Sequence, residues 1–118
     1  MAKTDKAESE KNVVFLYNKT DDVLSVEKKR KGAIVKGSID IGEVILDVSD
    51  KGFIIGIEFL NASKNIGIPK DILSKIEDVH FNVRQGTDYI VVRLAFFLDK
   101  KEYTHTTHVP ISSEALLA

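Results

Sequence analysis

The chain contains no cysteine. That excludes a disulfide framework, a thiol nucleophile and a cysteine-bound metal, and it fits a reducing compartment. No apolar run approaches the roughly 20 residues that a membrane helix needs. The opening MAKTDKAESEKN lacks an apolar h-region, so no signal peptide is expected. Excess charge is also missing: 17 Lys and Arg against 18 Asp and Glu leave a net −1. No global field then draws the chain to nucleic acid or to an anionic membrane. There is no long internal repeat and no low-complexity tract. A cytoplasmic protein with no membrane association is expected.

What is present is enough for one domain. The chain has 118 residues, 43% of them apolar, which is an ordinary globular level. Residues 1–11 are polar and read as a disordered tail, leaving 12–118 as a single globular domain. β-Branched and aromatic residues dominate the segments NVVFLY, DVLSV, AIVKGSIDI, EVILDV and FIIGIEFL, and turn-forming residues separate them. This half reads as an antiparallel meander of five strands. Pro69 suits a first helical position, and Ile72, Leu73 and Ile76 recur at helical spacing, which predicts one short helix over Pro69 to Glu77. VHFNV, DYIVVRLAFFL and EYTHTTHV then give three more strands, and SSEALLA is a weak helical end. The expected class is α+β, mostly antiparallel β, with two strand groups joined by one short helix.

Side chains alternate along a strand, so turn length decides which residues share a face. Even parity across Ser49–Gly52 places Val44, Leu46 and Val48 beside Phe53, Ile55 and Ile57, and puts Glu58 opposite Glu43. The first hairpin gathers Val13 and Phe15 with Leu24 and Val26. In the second half, Phe81 and Val83 join Ile90, Val92, Leu94, Phe96 and Leu98. The reverse faces keep several apolar residues: Val14, Leu16, Val23, Ile45, Ile54, Leu60, Val91 and Phe97. One short helix cannot cover them, so sheet-on-sheet packing or a second subunit is expected, and a homo-oligomer with it.

YNKTDDVLSV followed by IGEVILDVSDKGFIIGIEFLNAS resembles a small prokaryotic family known as domain of unknown function 2283. The residues that carry the likeness are Tyr17, Asp22, Leu24 and Val26, then Asp47, Asp50, Gly52, Gly56, Ile57, Glu58, Ala62 and Ser63. The likeness runs from Tyr17 to Ser63. It implies no reaction and no cofactor. It leaves room for a protein partner, because some members are encoded beside small toxin-like proteins.

Glu58 stands alone among apolar residues in KGFIIGIEFLNAS. Acid–base catalysis needs a second titratable group and a concave site, and no histidine is nearby by register. A structural carboxylate is expected, capping backbone donors around NAS or pairing with a Lys or Arg. Gly56 beside it indicates close approach of backbone or of a helix. HTTH, His105 to His108, has the look of a metal motif. On a strand, however, positions three apart face opposite ways. His105 then lies on the core face beside Phe96, and no metal is expected. KKRK, Lys28 to Lys31, has no interleaved aromatics and reads as a solvated turn, so nucleic-acid binding is not expected. No serine has a histidine and an acid at a telling spacing.

If Gly86-Thr87 is a two-residue turn, His80 lies opposite Arg93. If the next turn is Lys100-Lys101, or the four residues Asp99–Glu102, His108 also lies opposite Arg93. The row His80, Arg93, His108 would be an anion-binding or interface site, because arginine offers a planar fork of donors. The expected function is a non-enzymatic interaction or self-association module without a cofactor. The alternative is a small-molecule or anion-binding domain using that polar face. A flat apolar surface favours the first, and a concave polar one beside Glu58 or Arg93 favours the second.

Overall fold

A computed structural model describes residues 13–28 and 34–110. The proposed tail and the C-terminal SSEALLA lie outside the described residues. Among the described residues eight strands form: β1 Val13–Asn18, β2 Val23–Lys28, β3 Val35–Asp40, β4 Val44–Ser49, β5 Ile54–Phe59, β6 Asp78–Gln85, β7 Tyr89–Leu98 and β8 Lys101–Pro110. Every strand pairing is antiparallel. The α+β, mostly β class therefore holds.

The five-stranded sheet is not a simple meander. Its order is β1-β2-β5-β4-β3, so β2 neighbours β5 and the strands β2 to β5 form a Greek key. Composition accounts for the arrangement. β5, IIGIEF, is buried along most of its length, which fits its place at the centre. β3, VKGSID, carries Lys36, Gly37 and Asp40 and is exposed along most of its length, so it takes an edge.

The second sheet, β6-β7-β8, lies face to face with the first. Leu24, Val26, Leu46, Ile57 and Phe59 from one sheet and Val79, Phe81, Ile90, Val92, Leu94 and Phe96 from the other form one core. Each such side chain contributes about 1.5–3 kcal/mol through burial. Specific contacts cross the gap. The Phe59 ring meets the His105 ring edge-on with centroids 5.5 Å apart. Lys28 Nζ sits 5.3 Å from the centroid of Phe81. The Gln85 side chain accepts from Ile54 N–H at 2.9 Å and donates to Gly52 C=O at 3.2 Å, tying β6 to the start of β5.

One face assignment fails locally. Leu46 pairs with Ile57 and Val44 with Phe59, but a bulge makes Ile55 an extra residue and brings Ile54 opposite Val48. Alternation reverses there. Ile54 enters the core, and Phe53 is left 54% exposed. The helical segment also differs: the helix expected over Pro69 to Glu77 is cut to a single turn, and a separate short helix precedes it. α1 spans Ala62–Ile66 and α2 spans Lys70–Leu73. Gly67 closes α1 in the left-handed region, and Pro69 caps α2 with ψ 151° instead of entering it. The helix cannot run to Glu77, because Glu77 N–H already donates to Phe97 C=O at 2.9 Å and starts the sheet.

Candidate anion-binding face

The outer face of the three-stranded sheet carries His80, Asn82, Arg84, Val91, Arg93, Ala95, Phe97, Thr106 and His108. The expected shared face is right, and the expected row is not. Arg93 lies opposite Asn82 and Thr106, while His80 faces Ala95 and His108 faces Val91. The two imidazoles stand on opposite diagonals from Arg93.

Both turns explain the slip. The first is Thr87-Asp88, closed by Gly86 N–H to Tyr89 C=O at 2.9 Å. Gly86 belongs to the ladder, where its missing side chain gives way to the Tyr89 ring. A Cβ there would lie 2.1 Å from a ring carbon. The second turn is Asp99-Lys100, with φ 48° and 65°. Positive φ at both central residues is the two-residue hairpin whose twist matches the strands. Each turn sits one residue from its expected place, which moves the register by two.

The corrected register assembles a different group. Arg84 pairs with Val91, two residues along the ladder from the Asn82–Arg93 pair and on the same face, so the two arginines are diagonal neighbours. Such residues lie roughly 7–8 Å apart at the backbone, close enough for long side chains to converge. Arg84, Arg93 and His108, with Asn82, Tyr89 and Thr106, line a hollow of about 500 Å³ on the outer face. Among the described residues neither arginine has a hydrogen-bond or ion-pair partner. On the other side of Arg93, His80 packs against Phe97 with ring centroids 4.6 Å apart, and its Nε2 is 3.5 Å from Asp78. That end of the face also carries Glu102, so positive charge gathers at the Arg84–His108 end. The sequence reading missed Arg84 because it placed the turn at Gly86.

Glu58 faces Ser25 on one side and Ile45 on the other, not Glu43. The expected like-charge opposition does not arise. Among the described residues Glu58 makes none of the bonds expected of it, and two other carboxylates hold the NAS segment. Asp22 accepts from Ser63 N–H at 3.1 Å and from Ser63 Oγ at 2.7 Å. Glu43 accepts from the side-chain amides of Asn61 and Asn65, the latter at 3.0 Å. Those bonds hold the Glu43 carboxyl below its ordinary range. Gly56 does mark a close approach, but of side chains: an added Cβ would lie 2.9 Å from Asp47 Oδ2 and 3.2 Å from Glu27 Cγ. Burial pushes the Asp47 carboxyl up. Glu58→Gln should leave the fold intact and change stability by less than about 1 kcal/mol, as for a partly exposed group with no bond to lose. Urea unfolding checks this, and loss of folding would contradict it.

Three residues that carry the family likeness meet in one node. Asp22, 7% exposed and at φ 56°, accepts from Tyr17 Oη at 2.7 Å as well as from Ser63. Burial would raise the Asp22 carboxyl, and the bonds from Tyr17 and Ser63 outweigh it, so the group ends below its ordinary value. Burial and the Asp22 charge push the Tyr17 phenol up to about 12. A carboxylate so stabilised is a weak base, and a phenol so raised is a weak acid. The node is a lock joining the β1–β2 turn to α1, not a catalytic triad. Its members are up to 46 residues apart in sequence, which hid it from spacing arguments.

The HTTH histidines leave β8 on opposite faces, as a strand requires. His105 pairs with Leu94, not Phe96, and its Nε2 lies 3.1 Å from Thr107 Oγ1. Burial lowers its pKa. Among the described residues no group of three or more His, Asp and Glu is arranged to hold a metal ion. Of KKRK, only Lys28 is described. No helix among the described residues is long and apolar enough to cross a membrane.

Comparison with known proteins adds a family and a relative. The profile of a family described as protein of unknown function, domain of unknown function 2283, matches residues 5–63, half the chain. The uncharacterized protein MJ0789 of Methanocaldococcus jannaschii is 29% identical over 87 residues, 73% of this chain and 73% of that protein. No solved structure matches. The family match takes in the Asp22 lock and the whole five-stranded sheet. It ends before the face that carries Arg84, Arg93 and His108.

Proposed function

Since this chain belongs to the family domain of unknown function 2283, whose name carries no activity, we propose its role from the site itself: a non-enzymatic binding module whose outer three-stranded face takes an anionic small molecule. One observation carries the reading. Arg84 and Arg93 converge on a single polar hollow and, among the described residues, have no carboxylate to neutralise them. Two guanidiniums can clamp a phosphate or carboxylate with paired, charge-assisted bonds. His108, Asn82 and Thr106 offer further donors, and Tyr89 offers a ring wall. About 500 Å³ suits a small ligand rather than a macromolecule. Neither the face nor the Asp22 node supplies an acid and a base poised against each other, so the reading is binding and not turnover.

Inorganic phosphate tests the reading. Titrated against chloride at equal ionic strength, it should shift the backbone amide resonances of β6 to β8 saturably. Arg93→Ala and Arg84→Ala should each weaken binding about 10–100-fold, the loss of one charge-assisted pair. Non-saturating shifts that chloride reproduces would refute it.

A further inference from the structure

We propose that the ligand of this face is a nucleoside monophosphate, with its phosphate held by Arg84 and Arg93 and its base stacked on Tyr89. The inference rests on the binding reading above and adds the part of the ligand that phosphate alone does not represent.

The stacking platform comes from a glycine. Gly86 N–H donates to Tyr89 C=O at 2.9 Å, which sets the two residues opposite each other at the end of the β6–β7 ladder. A Cβ at Gly86 would lie 2.1, 2.6 and 2.7 Å from three consecutive carbons of the Tyr89 ring. Distances so nearly equal place the flat side of the ring, not its edge, over the glycine. Gly86 has no side chain to hold the ring upright, so one side of the ring lies on backbone and the other faces outward. Tyr89 is 42% exposed, one of the few large side chains left so open. Nucleobases stack on such rings, and each such contact strengthens binding roughly 5–150-fold.

The register places the rest of the ligand. Tyr89, Val91 and Arg93 follow one another along the outer face of β7, and the first and last are roughly 13 Å apart along the strand. Val91 pairs with Arg84 on one side and His108 on the other. Arg84 is therefore the diagonal neighbour of both Tyr89 and Arg93, and all of them line the same hollow. Half-buried Val91 is an apolar floor between the ring and the guanidiniums. A sugar spans that interval, with His108 beside it as a hydrogen-bonding group.

Charge limits the ligand to a single nucleotide. Beyond Arg93 the outer face ends in Asp78 and Glu102, which stand on either side of Phe97. Two carboxylates there repel a second phosphate, so a nucleic-acid strand running on along β7 is disfavoured. A hollow of about 500 Å³ fits one nucleotide.

Three ligands separate this inference from the reading beneath it. Inorganic phosphate, ribose 5-phosphate and adenosine 5′-monophosphate (AMP) are titrated at equal ionic strength, with amide and tyrosine ring resonances followed. AMP should bind about tenfold or more tightly than ribose 5-phosphate, and its ring current should move the Tyr89 ring protons upfield. Tyr89→Phe should keep that ratio. Tyr89→Leu, its fold checked by amide spectra, should cut the ratio to about twofold or less. Arg93→Ala should weaken both ligands together and leave the ratio in place. If phosphate and ribose 5-phosphate bind and AMP binds no better, the base has no site, and this inference falls while the anion site stands. A ratio that survives Tyr89→Leu, or Tyr89 ring protons that AMP leaves unmoved, overturns it too. If none of the three binds saturably, the inference and the anion site fall together.

Discussion

Asp22→Ala is expected to destabilise the protein by about 3–4 kcal/mol. The substitution removes the acceptor of three bonds at once, from Tyr17 Oη, Ser63 N–H and Ser63 Oγ. Charge-assisted bonds are worth about 1.5–3 kcal/mol each, and three sharing one carboxylate are not additive. Alanine must also hold φ 56° at the steric cost of any Cβ, about 1–2 kcal/mol, which aspartate already bears and glycine does not. Asp22→Gly relieves that second cost and keeps the first, so it should be less damaging than alanine. Asp22→Asn keeps the shape and an acceptor, and it should cost about half as much as alanine. Urea unfolding of the series, with Tyr17→Phe and Ser63→Ala, separates the contributions. Equal stability of the alanine and glycine variants would remove the backbone part of the argument.

The node also sets two pH windows, and their signs differ. The folded Asp22 carboxyl lies below its ordinary value, so its stabilisation is full above the unfolded pKa, near 4, and is lost as pH falls through the folded one. The folded Tyr17 phenol is raised to about 12, so its contribution is full below the unfolded value of 10.0 and is lost as pH climbs from there toward 12. Tyr17→Phe should flatten the alkaline loss. His105 behaves as Asp22 does on this scale, because a lowered folded pKa costs stability as pH falls below the ordinary imidazole value.

Legibility in the sequence followed the reach of each rule. Alternation within a strand is local, so the faces of β6, β7 and β8 were readable. Phe81, Ile90, Val92, Leu94 and Phe96 are all fully buried. Register depends on the turn, and a turn can slide by one residue at little cost to the pattern. At Gly86 the slide is decided by the Tyr89 ring, which sequence spacing does not display. The Greek key was hidden for a similar reason. Pairing β5 with β2 depends on which strands bury most surface, not on which are adjacent in sequence. The Asp22 lock was half visible, since Tyr17, Asp22 and Ser63 all belong to the motifs that carry the family likeness. Their convergence explains those motifs without chemistry. Asp22 can accept the φ, Ser63 supplies two donors, and Ala62 between them is fully buried.

Phe59→Ala should be the most damaging single change, at about 3–5 kcal/mol. Phe59 is fully buried in the central strand, where it pairs with Leu24 on one side and Val44 on the other. It also stands edge-on to His105 across the two sheets. Truncation leaves a cavity bounded by both sheets, and neither can collapse into it without breaking register with its own neighbours. Phe59→Leu keeps most of the volume and should cost roughly half as much. The edge contact gives a second readout. Removing the ring opens His105 to water, so the burial that lowers its pKa weakens and the pKa should climb back toward the ordinary imidazole value. The variant should therefore lose less stability than wild type between pH 7 and 5, although its total stability is lower. Calorimetry across that range, with His105 followed by NMR, measures both. A His105 pKa unmoved by Phe59→Ala would mean that other neighbours keep the imidazole dry, and a loss near 1 kcal/mol would mean that the two sheets are less tightly coupled than their shared core implies.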